Sequence, residues 1–273
     1  MGNNPHLIGN YELISGEEEI LAEFLRKRNL ERINDYDRQR PVKVSSGIYA
    51  HYIKRILDLL ISIPAFIITF PFNCIFGICT FFDVGRPIFF KQTRVGLNGK
   101  PFVMIKFRNM NENKDKNGKL LPPSQRVTKF GKFMRKYSLD ELLNFWMVIK
   151  GDMSIIGPRP LPMTFTERMS ERHKLRNAVK PGLECPRVMK ADPKYSLYEN
   201  QFENDIWYVE NISFVTDLMM LCRLFKMTFN SKYRSKTAEG ASYFVGYDDN
   251  YRATSLRQFK KEYPDKKITE LTY

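Results

Sequence analysis

Cysteine and histidine are scarce in this chain of 273 residues. It holds four cysteines and three histidines, and none of them stands in a CxxC or a mixed Cys/His spacing. A disulfide framework and a zinc site are therefore not expected. The first 20 residues also lack the basic segment and the apolar run of a signal peptide, so we expect the chain to begin in the cytoplasm.

Low-complexity tracts are absent as well, which excludes a wholly disordered or collagen-like chain. Hydrophobic residues make up 43% of the sequence and charged residues 27%. This length and composition predict one folded domain or two small ones.

Acidic residues are rare in one segment, which carries most of the excess positive charge. Lys and Arg outnumber Asp and Glu by 44 to 30, a net charge of +14. Between Arg86 and Lys136 there are 14 basic residues, with Glu112 and Asp115 as the only acids, so the net charge is +12 over 51 residues. Such a block suits the phosphates of a nucleic acid, lipid headgroups, a small anionic substrate or a solvated face, and charge alone leaves these open.

A long apolar run precedes this basic block. The 24 residues from Leu59 to Phe82 carry no charge, and about 20 helical residues suffice to cross a hydrocarbon core. Pro64 and Pro71 lie inside the run, and each removes a helical hydrogen bond and bends the helix. Basic residues flank both ends, which places both ends on the cytoplasmic side. We therefore favour a re-entrant membrane helix with a kink at Pro71, and a full span is the alternative.

Two elements outside the apolar run follow from local signals. Gly16 to Asn29 reads as a helix with an acidic first turn and a basic last turn, and Pro41 to Gly47 reads as a linker. The apolar residues from Val127 to Tyr137 recur at helical spacing among Lys and Arg, which predicts a basic amphipathic helix.

A hairpin is predicted just after the apolar run. The segments Pro87 to Arg94 and Phe102 to Arg108 are strand-like, and Asn98-Gly99 between them is a strong hairpin signal. Side chains alternate along a strand, so Lys106 and Arg108 would project from one face and could hold a phosphate. An exposed edge strand kept soluble by its charges explains the same pattern.

The segment from Ser138 to Glu141 allows two interpretations. Ser138 followed three residues later by Glu141 is the pattern of a capping box at the start of a helix. Free N–H groups at a helix start also keep a carboxylate ionised and attract phosphate. In that case Asp140 could attack phosphorus while Glu141 holds Mg²⁺ and Arg135 lies nearby.

A further basic residue that could bind an anion follows the helix that would begin at Ser138. Arg159 stands between Pro158 and Pro160, and the two prolines stiffen the backbone around it. A guanidinium fork held in this way suits a pyrophosphate, although Pro-Arg-Pro is also common in linkers.

Taken in order, these motifs resemble those of the bacterial sugar transferases. These are the monotopic polyprenyl-phosphate phosphoglycosyltransferases that begin capsule, exopolysaccharide and glycoprotein glycan assembly. The resemblance covers residues 51–229, which are 179 of the 273. It rests on Lys54-Arg55 with Asp58, on Gln92–Gly96, on Lys106-Phe107-Arg108, on Ser138–Leu142, on Lys150–Ser154 and on Gly157–Leu161.

The resemblance implies a chemistry and a location. It implies that Asp140 is a nucleophile that attacks a UDP-sugar, releases UMP and passes the phosphosugar to undecaprenyl phosphate. It assigns Mg²⁺ to Glu141 and makes Lys106, Arg108, Arg135 and Arg159 candidates for binding the anionic substrates. It further implies a monotopic protein on the cytoplasmic face of the bacterial inner membrane, with the lipid bilayer as a partner and without nucleic acid. The sequence does not determine the oligomeric state.

The chain departs from the family pattern at three places. Phe70 precedes Pro71 where the family usually has Ser, and Asn144 replaces a usual Gln. After Gly182 the family continues Thr-Gly-Trp-Ala-Gln-Val, whereas this chain has Leu183–Val188 with the sequence Leu-Glu-Cys-Pro-Arg-Val. The last change concerns the recognition of the nucleotide sugar.

The expected architecture is α+β, mostly helical around a small hairpin. We divide the chain into an accessory helix and linker (1–50), the re-entrant helix (51–85), a catalytic domain at the membrane surface (86–229) and a polar C-terminal extension (230–273), expected to be a loose or peripherally packed tail. The alternative functions are an impaired relative that acts as a partner in glycan assembly, and a nucleic-acid-binding protein that would leave the apolar run unexplained.

Overall fold

The computed structural model describes residues 16–118, 120–121, 123–192, 195–228, 243–265 and 267–268. The helices are α1 Gly16–Asp37, α2 Lys54–Val84, α3 Pro123–Arg126, α4 Lys129–Tyr137, α5 Asn144–Lys150, α6 Met163–Thr166, α7 Glu171–Lys174, α8 Leu197–Glu210, α9 Phe214–Thr228 and α10 Leu256–Glu262. The strands are β1 Phe89–Val95, β2 Pro101–Phe107, β3 Ser154–Ile156, β4 Gly182–Glu184, β5 Phe244–Tyr247 and β6 Ala253–Ser255. They form three two-stranded sheets, β1-β2, β3-β4 and β5-β6, of which only β3-β4 is parallel among the described residues. The predicted α+β, mostly helical class is confirmed.

Helix α2 has its apolar side chains outside and its polar side chains inside. Asp58, Ser62, Asn73 and Thr80 are buried against the rest of the chain, whereas many of its Ile and Phe side chains are exposed. The helix with the turn before it, Tyr49–Val84, is long and apolar enough to cross a membrane. In water this arrangement would leave a large apolar surface exposed, which marks a membrane-contacting helix.

Both ends of α2 bind to the same folded unit. Near its start, the Asp58 carboxylate accepts hydrogen bonds from the Ser154 hydroxyl and the Ile155 backbone N–H, both at 3.0 Å. Near its end, the Thr128 hydroxyl donates to the Asp83 carboxylate at 2.6 Å. Helix α2 therefore contacts the folded part of the chain at both of its ends.

The two prolines lie inside one helix. Pro64 and Pro71 are both within α2, and the bend predicted at Pro71 stays a prediction. The Thr69 hydroxyl donates to the Ala65 carbonyl at 2.8 Å, one helical turn back along α2. Asn73 is buried, and neither of its amide atoms has a hydrogen-bond partner in the described part of the chain.

The predicted hairpin is confirmed with small shifts of its ends. Strands β1 and β2 pair from Phe89 opposite Phe107 to Val95 opposite Pro101. Asn98 and Gly99 both have positive φ in the connection, which explains the Asn-Gly pair. The Val95 backbone N–H donates to the Leu161 carbonyl at 3.0 Å, so the hairpin is fixed to the segment that follows Arg159.

The described part of the C-terminal extension is packed, which corrects the expectation of a loose or peripheral tail. Every residue of β5 and β6 is buried. Helix α1, which runs eight residues beyond its predicted end, supplies the other side of this packing through Leu21, Phe24 and Leu25 against Val245 and Phe259. Sequence reasoning missed this because the contact joins residues more than 200 positions apart.

A buried ionic network joins this terminal unit to α8. His173 contacts Glu203 at 3.2 Å and the Tyr247 hydroxyl at 2.8 Å, and Arg172 donates to Glu203 at 2.8 Å. Ligand atoms of His173, Glu199 and Glu203 lie within 4.8 Å of one another. Because Glu203 is already bonded to Arg172 and His173 and Glu199 accepts from the Ala253 backbone N–H at 2.7 Å, protein groups satisfy the cluster.

We predict that Glu203→Gln lowers the free energy of unfolding by about 2–3 kcal/mol at neutral pH, because it leaves the largely buried Arg172 without its charged partner. Burial opposes the charged form of Glu203, but His173 and Arg172 outweigh it and lower its pKa. A lowered pKa stabilises the fold above the unfolded value of about 4, and this contribution is lost as the pH falls below it. Thermal unfolding at several pH values measures both effects.

The control is Glu210→Gln on the same helix, where the residue is exposed. An equal loss of stability in both variants, or a wild-type protein whose Glu203-dependent stability is unchanged on acidification, would contradict the prediction.

Candidate active site

Asp140 lies in a tight turn between two helices. Helix α4 ends at Tyr137, and Ser138 takes the left-handed conformation with φ of 55° before the turn Leu139–Glu141. The predicted capping box is wrong: the Ser138 side chain caps nothing, and the next helix begins only at Asn144. The positive φ of a residue other than Gly is costly and recurs at functional sites, and here it turns the chain sharply just before Asp140.

Asn109 connects Asp140 to Arg135. The Asn109 Nδ2 donates to Asp140 Oδ2 at 2.7 Å, and Arg135 donates to Asn109 Oδ1 through Nε at 3.1 Å and Nη2 at 2.9 Å. Asp140 and Asn109 are buried, with 4% and 5% of their surface exposed. The Arg135 guanidinium is therefore linked to the Asp140 carboxylate through the neutral amide of Asn109.

Arg159 bridges two carboxylates. Its Nη2 donates to Glu141 Oε1 at 3.0 Å, and its Nη1 lies 3.5 Å from Glu184 Oε2. Glu184 is the last residue of β4 and belongs to the divergent segment Leu183–Val188. This segment therefore reaches the candidate site through the Glu184 carboxylate, at a position where the family pattern has Gly.

The backbone that carries Arg159 is fixed by a buried ion pair. Arg176 donates to Asp205 through Nε at 2.9 Å and Nη2 at 2.7 Å, and both side chains are 1% exposed. The same Nη2 donates to the Arg159 carbonyl at 2.8 Å. On the other side, Arg94 donates to the Pro160 carbonyl at 3.2 Å. The Pro-Arg-Pro segment is thus held from two elements.

The structure separates the two cations predicted on one face of the hairpin. Burial lowers the pKa of Lys106, and the nearby carboxylates of Glu141 and Asp140 oppose this change. Arg108 follows the last residue of β2 and donates to the Val84 and Gly85 carbonyls, with Glu112 at 3.4 Å. Arg108 therefore terminates α2 and does not lie with Lys106, because the strand ends at Phe107 and the face alternation ends with it.

The electrostatic environment shifts the pKa values of Asp140 and Glu141 in opposite directions. Burial raises the pKa of Asp140, and Lys106 opposes this change. Arg159 lowers the pKa of Glu141, which keeps this carboxylate ionised. Burial also lowers the pKa of Arg135 and raises that of Glu184. Two adjacent carboxylates with separated pKa values are typical of sites that divide nucleophilic and charge-binding roles.

Of the predicted site residues, the structure brings Asp140, Glu141, Lys106, Arg135 and Arg159 together. Sequence reasoning missed Asn109, Glu184 and the pair Arg176–Asp205, which support them. The only local signal for Asn109 was its position directly after Lys106-Phe107-Arg108, and nothing in the sequence indicated that Arg159 meets two carboxylates.

The family comparison agrees with this geometry. A model of the family described as bacterial sugar transferase matches residues 49–231. The chain belongs to the bacterial sugar transferase family. The resemblance stated from the motifs is confirmed, and with it, at the level of the family, the expectation of a sugar-phosphate transferase.

Relatives differ in how much of their length this chain spans. The uncharacterized sugar transferase EpsL of Bacillus subtilis is 46% identical over 139 residues, 51% of this chain and 68% of the relative. The UDP-N-acetylgalactosamine-undecaprenyl-phosphate N-acetylgalactosaminephosphotransferase of Aeromonas hydrophila is 32% identical over 185 residues, 64% of this chain and 43% of that protein. The UDP-glucose:undecaprenyl-phosphate glucose-1-phosphate transferase of Klebsiella pneumoniae is 33% identical over 177 residues, 62% of this chain and 38% of that protein. The chain thus spans less than half of the last two.

We predict that Asp205→Asn lowers the free energy of unfolding by about 3–5 kcal/mol, because Arg176 would be left buried without its counter-charge. The exposed pair Arg28–Asp249 offers a matched control, and Asp249→Asn should cost less than about 1 kcal/mol. Thermal or denaturant unfolding in detergent measures both. Similar costs for the two variants would mean that the buried pair does not hold the Arg159 segment.

Proposed function

We propose that this protein transfers a phosphosugar from a UDP-sugar to undecaprenyl phosphate and so begins the assembly of a bacterial surface glycan. The observation that carries the proposal is a buried aspartate beside an ionised glutamate, with Lys106, Arg135 and Arg159 around them. Relatives named as undecaprenyl-phosphate sugar-phosphate transferases support the substrate classes.

In the proposed reaction an Asp140 carboxylate oxygen attacks the phosphorus that bears the sugar. A new O–P bond forms, the P–O bond to the UMP moiety breaks, and UMP leaves with the bridging oxygen and its electron pair. A phosphate oxygen of undecaprenyl phosphate then attacks the same phosphorus and displaces the carboxylate, which restores the enzyme. The cations of the site hold the anionic substrates in line for both steps.

The donor set suits Mg²⁺ at Glu141. Mg²⁺ prefers oxygen ligands and is usually bound by one or two carboxylates together with substrate phosphates. Glu141 offers an ionised carboxylate that protein groups do not enclose completely, since 22% of its side chain is exposed. When bound, Mg²⁺ would neutralise charge on the diphosphate and favour departure of UMP.

We further propose a monotopic location on the cytoplasmic face of the inner membrane. The basis is that polar contacts join both ends of α2 to the same folded part of the chain while many of its apolar side chains are exposed. A helix that crossed the bilayer would place its two ends on opposite sides of the hydrocarbon core. The exposed Trp146 and the exposed apolar residues of α9, Phe214 and Phe225 among them, offer further contacts with the interface.

The second candidate function is an impaired relative that serves as a partner in glycan assembly. The divergent segment Leu183–Val188 favours it. The retained group of Asp140, Glu141 and Arg159 with their supporting contacts opposes it, because a purely structural turn does not need a buried carboxylate.

We predict that Asp140→Asn lowers UMP release by about a thousandfold or more, because the amide cannot form the acyl phosphate. The measurement is UMP release by purified protein in detergent with undecaprenyl phosphate and a panel of UDP-sugars. Intact-mass spectrometry with donor alone should show an added phosphosugar on the wild type and none on the variant.

Asp35→Asn, an exposed position on α1, is the control and should leave the rate unchanged. Full activity of Asp140→Asn would defeat the assignment of the nucleophile, and absence of UMP release from the wild type with every donor would favour the impaired relative.

We predict that single cysteines at Ile48 and Arg86, both exposed and on either side of α2, react with a membrane-impermeant maleimide from the same side. The four native cysteines are free thiols and are replaced first. Inverted membrane vesicles should label both positions and intact spheroplasts neither. Labelling of one position in each preparation would establish a full span.

A further inference from the structure

We infer that Asn109 is a positioning residue for the nucleophile: its amide holds Oδ2 of Asp140, so that Oδ1 is the oxygen that attacks phosphorus. The inference rests on the proposed function in one respect, because that function makes Asp140 the nucleophile. The contact itself, a buried hydrogen bond of 2.7 Å, does not depend on it.

The orientation of the amide follows from its other partner. Arg135 has only donors, so the atom that receives its Nε and Nη2 must be the amide oxygen. The Nδ2 group therefore faces Asp140 as a donor. This assignment gives the carboxylate a hydrogen bond in its ionised form, and the guanidinium polarises the amide that donates it.

The backbone of Asn109 is itself fixed by α4. A Cβ atom on Gly131 would collide with the Asn109 carbonyl, so only glycine permits this approach of α4. The Thr128 hydroxyl caps α4 by accepting from the Gly131 N–H at 2.8 Å and donates to Asp83 of α2. Helix α4, which also carries Arg135, thereby presents both the amide and its polarising cation to Asp140.

A neutral donor solves a problem that a cation at the same place would create. The Asp140 carboxylate accepts directly from the neutral amide, and the Arg135 guanidinium is bonded to the other end of that amide. A directly paired cation would compete with phosphorus for the electrons of the carboxylate. The amide fixes one oxygen and withdraws less charge, which leaves the second oxygen reactive.

The test compares Asn109→Leu and Asn109→Asp with the wild type in UMP release as a function of donor concentration. Asn109→Leu should lower kcat by about 10- to 100-fold, the scale of one hydrogen bond to a charged group, and leave KM for the donor unchanged. Asn109→Asp keeps the size of the side chain but has no N–H group to donate, and it should lower kcat in the same way. Asn113→Leu, at an exposed position of the following loop, is the control and should leave both constants unchanged.

A second readout isolates the first step of the proposed reaction. Intact-mass spectrometry at a series of times after mixing with donor alone reports how fast the phosphosugar is added and to what fraction of the molecules. In Asn109→Leu the addition should be slower by the same factor, and the final labelled fraction should equal that of the wild type. Melting curves establish that each variant is folded, and Asn109→Asp serves if Asn109→Leu does not fold.

The outcomes separate the two hypotheses. An unchanged kcat, or a smaller labelled fraction that forms at the wild-type rate, would reduce Asn109 to a structural residue and overturn the inference while the proposed function stands. A wild type that releases no UMP and adds no phosphosugar would defeat the proposed function itself.

Discussion

A carboxylate can remain ionised inside a protein only where charges and donors replace the water that it has lost. Asp140 meets this condition through elements that are distant in sequence. The hairpin contributes Lys106, α4 contributes Arg135 and the polarised amide of Asn109, and the segment after β3 contributes Arg159 through Glu141. Each of these elements is held by at least one contact that has no direct part in the site.

Helix α8 connects the site to the terminal unit. One of its faces carries Asp205, which fixes Arg176 and through it the carbonyl of Arg159. Another carries Glu199 and Glu203, which bind the terminal unit through Ala253 and His173. The first and last parts of the chain, which lie largely outside the matched family region, therefore stabilise the helix that holds the Arg159 segment in place.

Sequence analysis correctly predicted those features of the fold that local patterns determine. Asn98-Gly99 determines a hairpin because both residues accept positive φ, and the long run of Ile and Phe indicates a membrane helix whatever its partners. Asp140, Glu141 and Arg159 were found because they belong to short motifs. Asn109 and Glu184 were missed because their roles arise from contacts 31 and 25 residues away in the chain, which periodicity and spacing do not encode.

The misread turn shows the same limit. A serine three residues before a glutamate fits a capping box, but the preceding helix α4 reaches Tyr137 and leaves Ser138 to end it in the left-handed conformation. The competition between ending one helix and starting another depends on how α4 is held by Gly131 and Thr128, which is a tertiary effect.

The charge balance of the site indicates which ligand it can accept. Among the described residues, Lys106, Arg135 and Arg159 face Asp140, Glu141 and Glu184, so these six groups cancel when all are ionised. Arg94 and Arg126 lie close enough to influence the same groups and leave the cations in excess. A diphosphate that arrives with a divalent cation adds little net charge, and the residual excess of positive charge favours its anionic part. Glu184 reduces that excess at Arg159, so under the proposed function the divergent segment would weaken the attraction for the donor and leave Asp140, Glu141 and Lys106 in place.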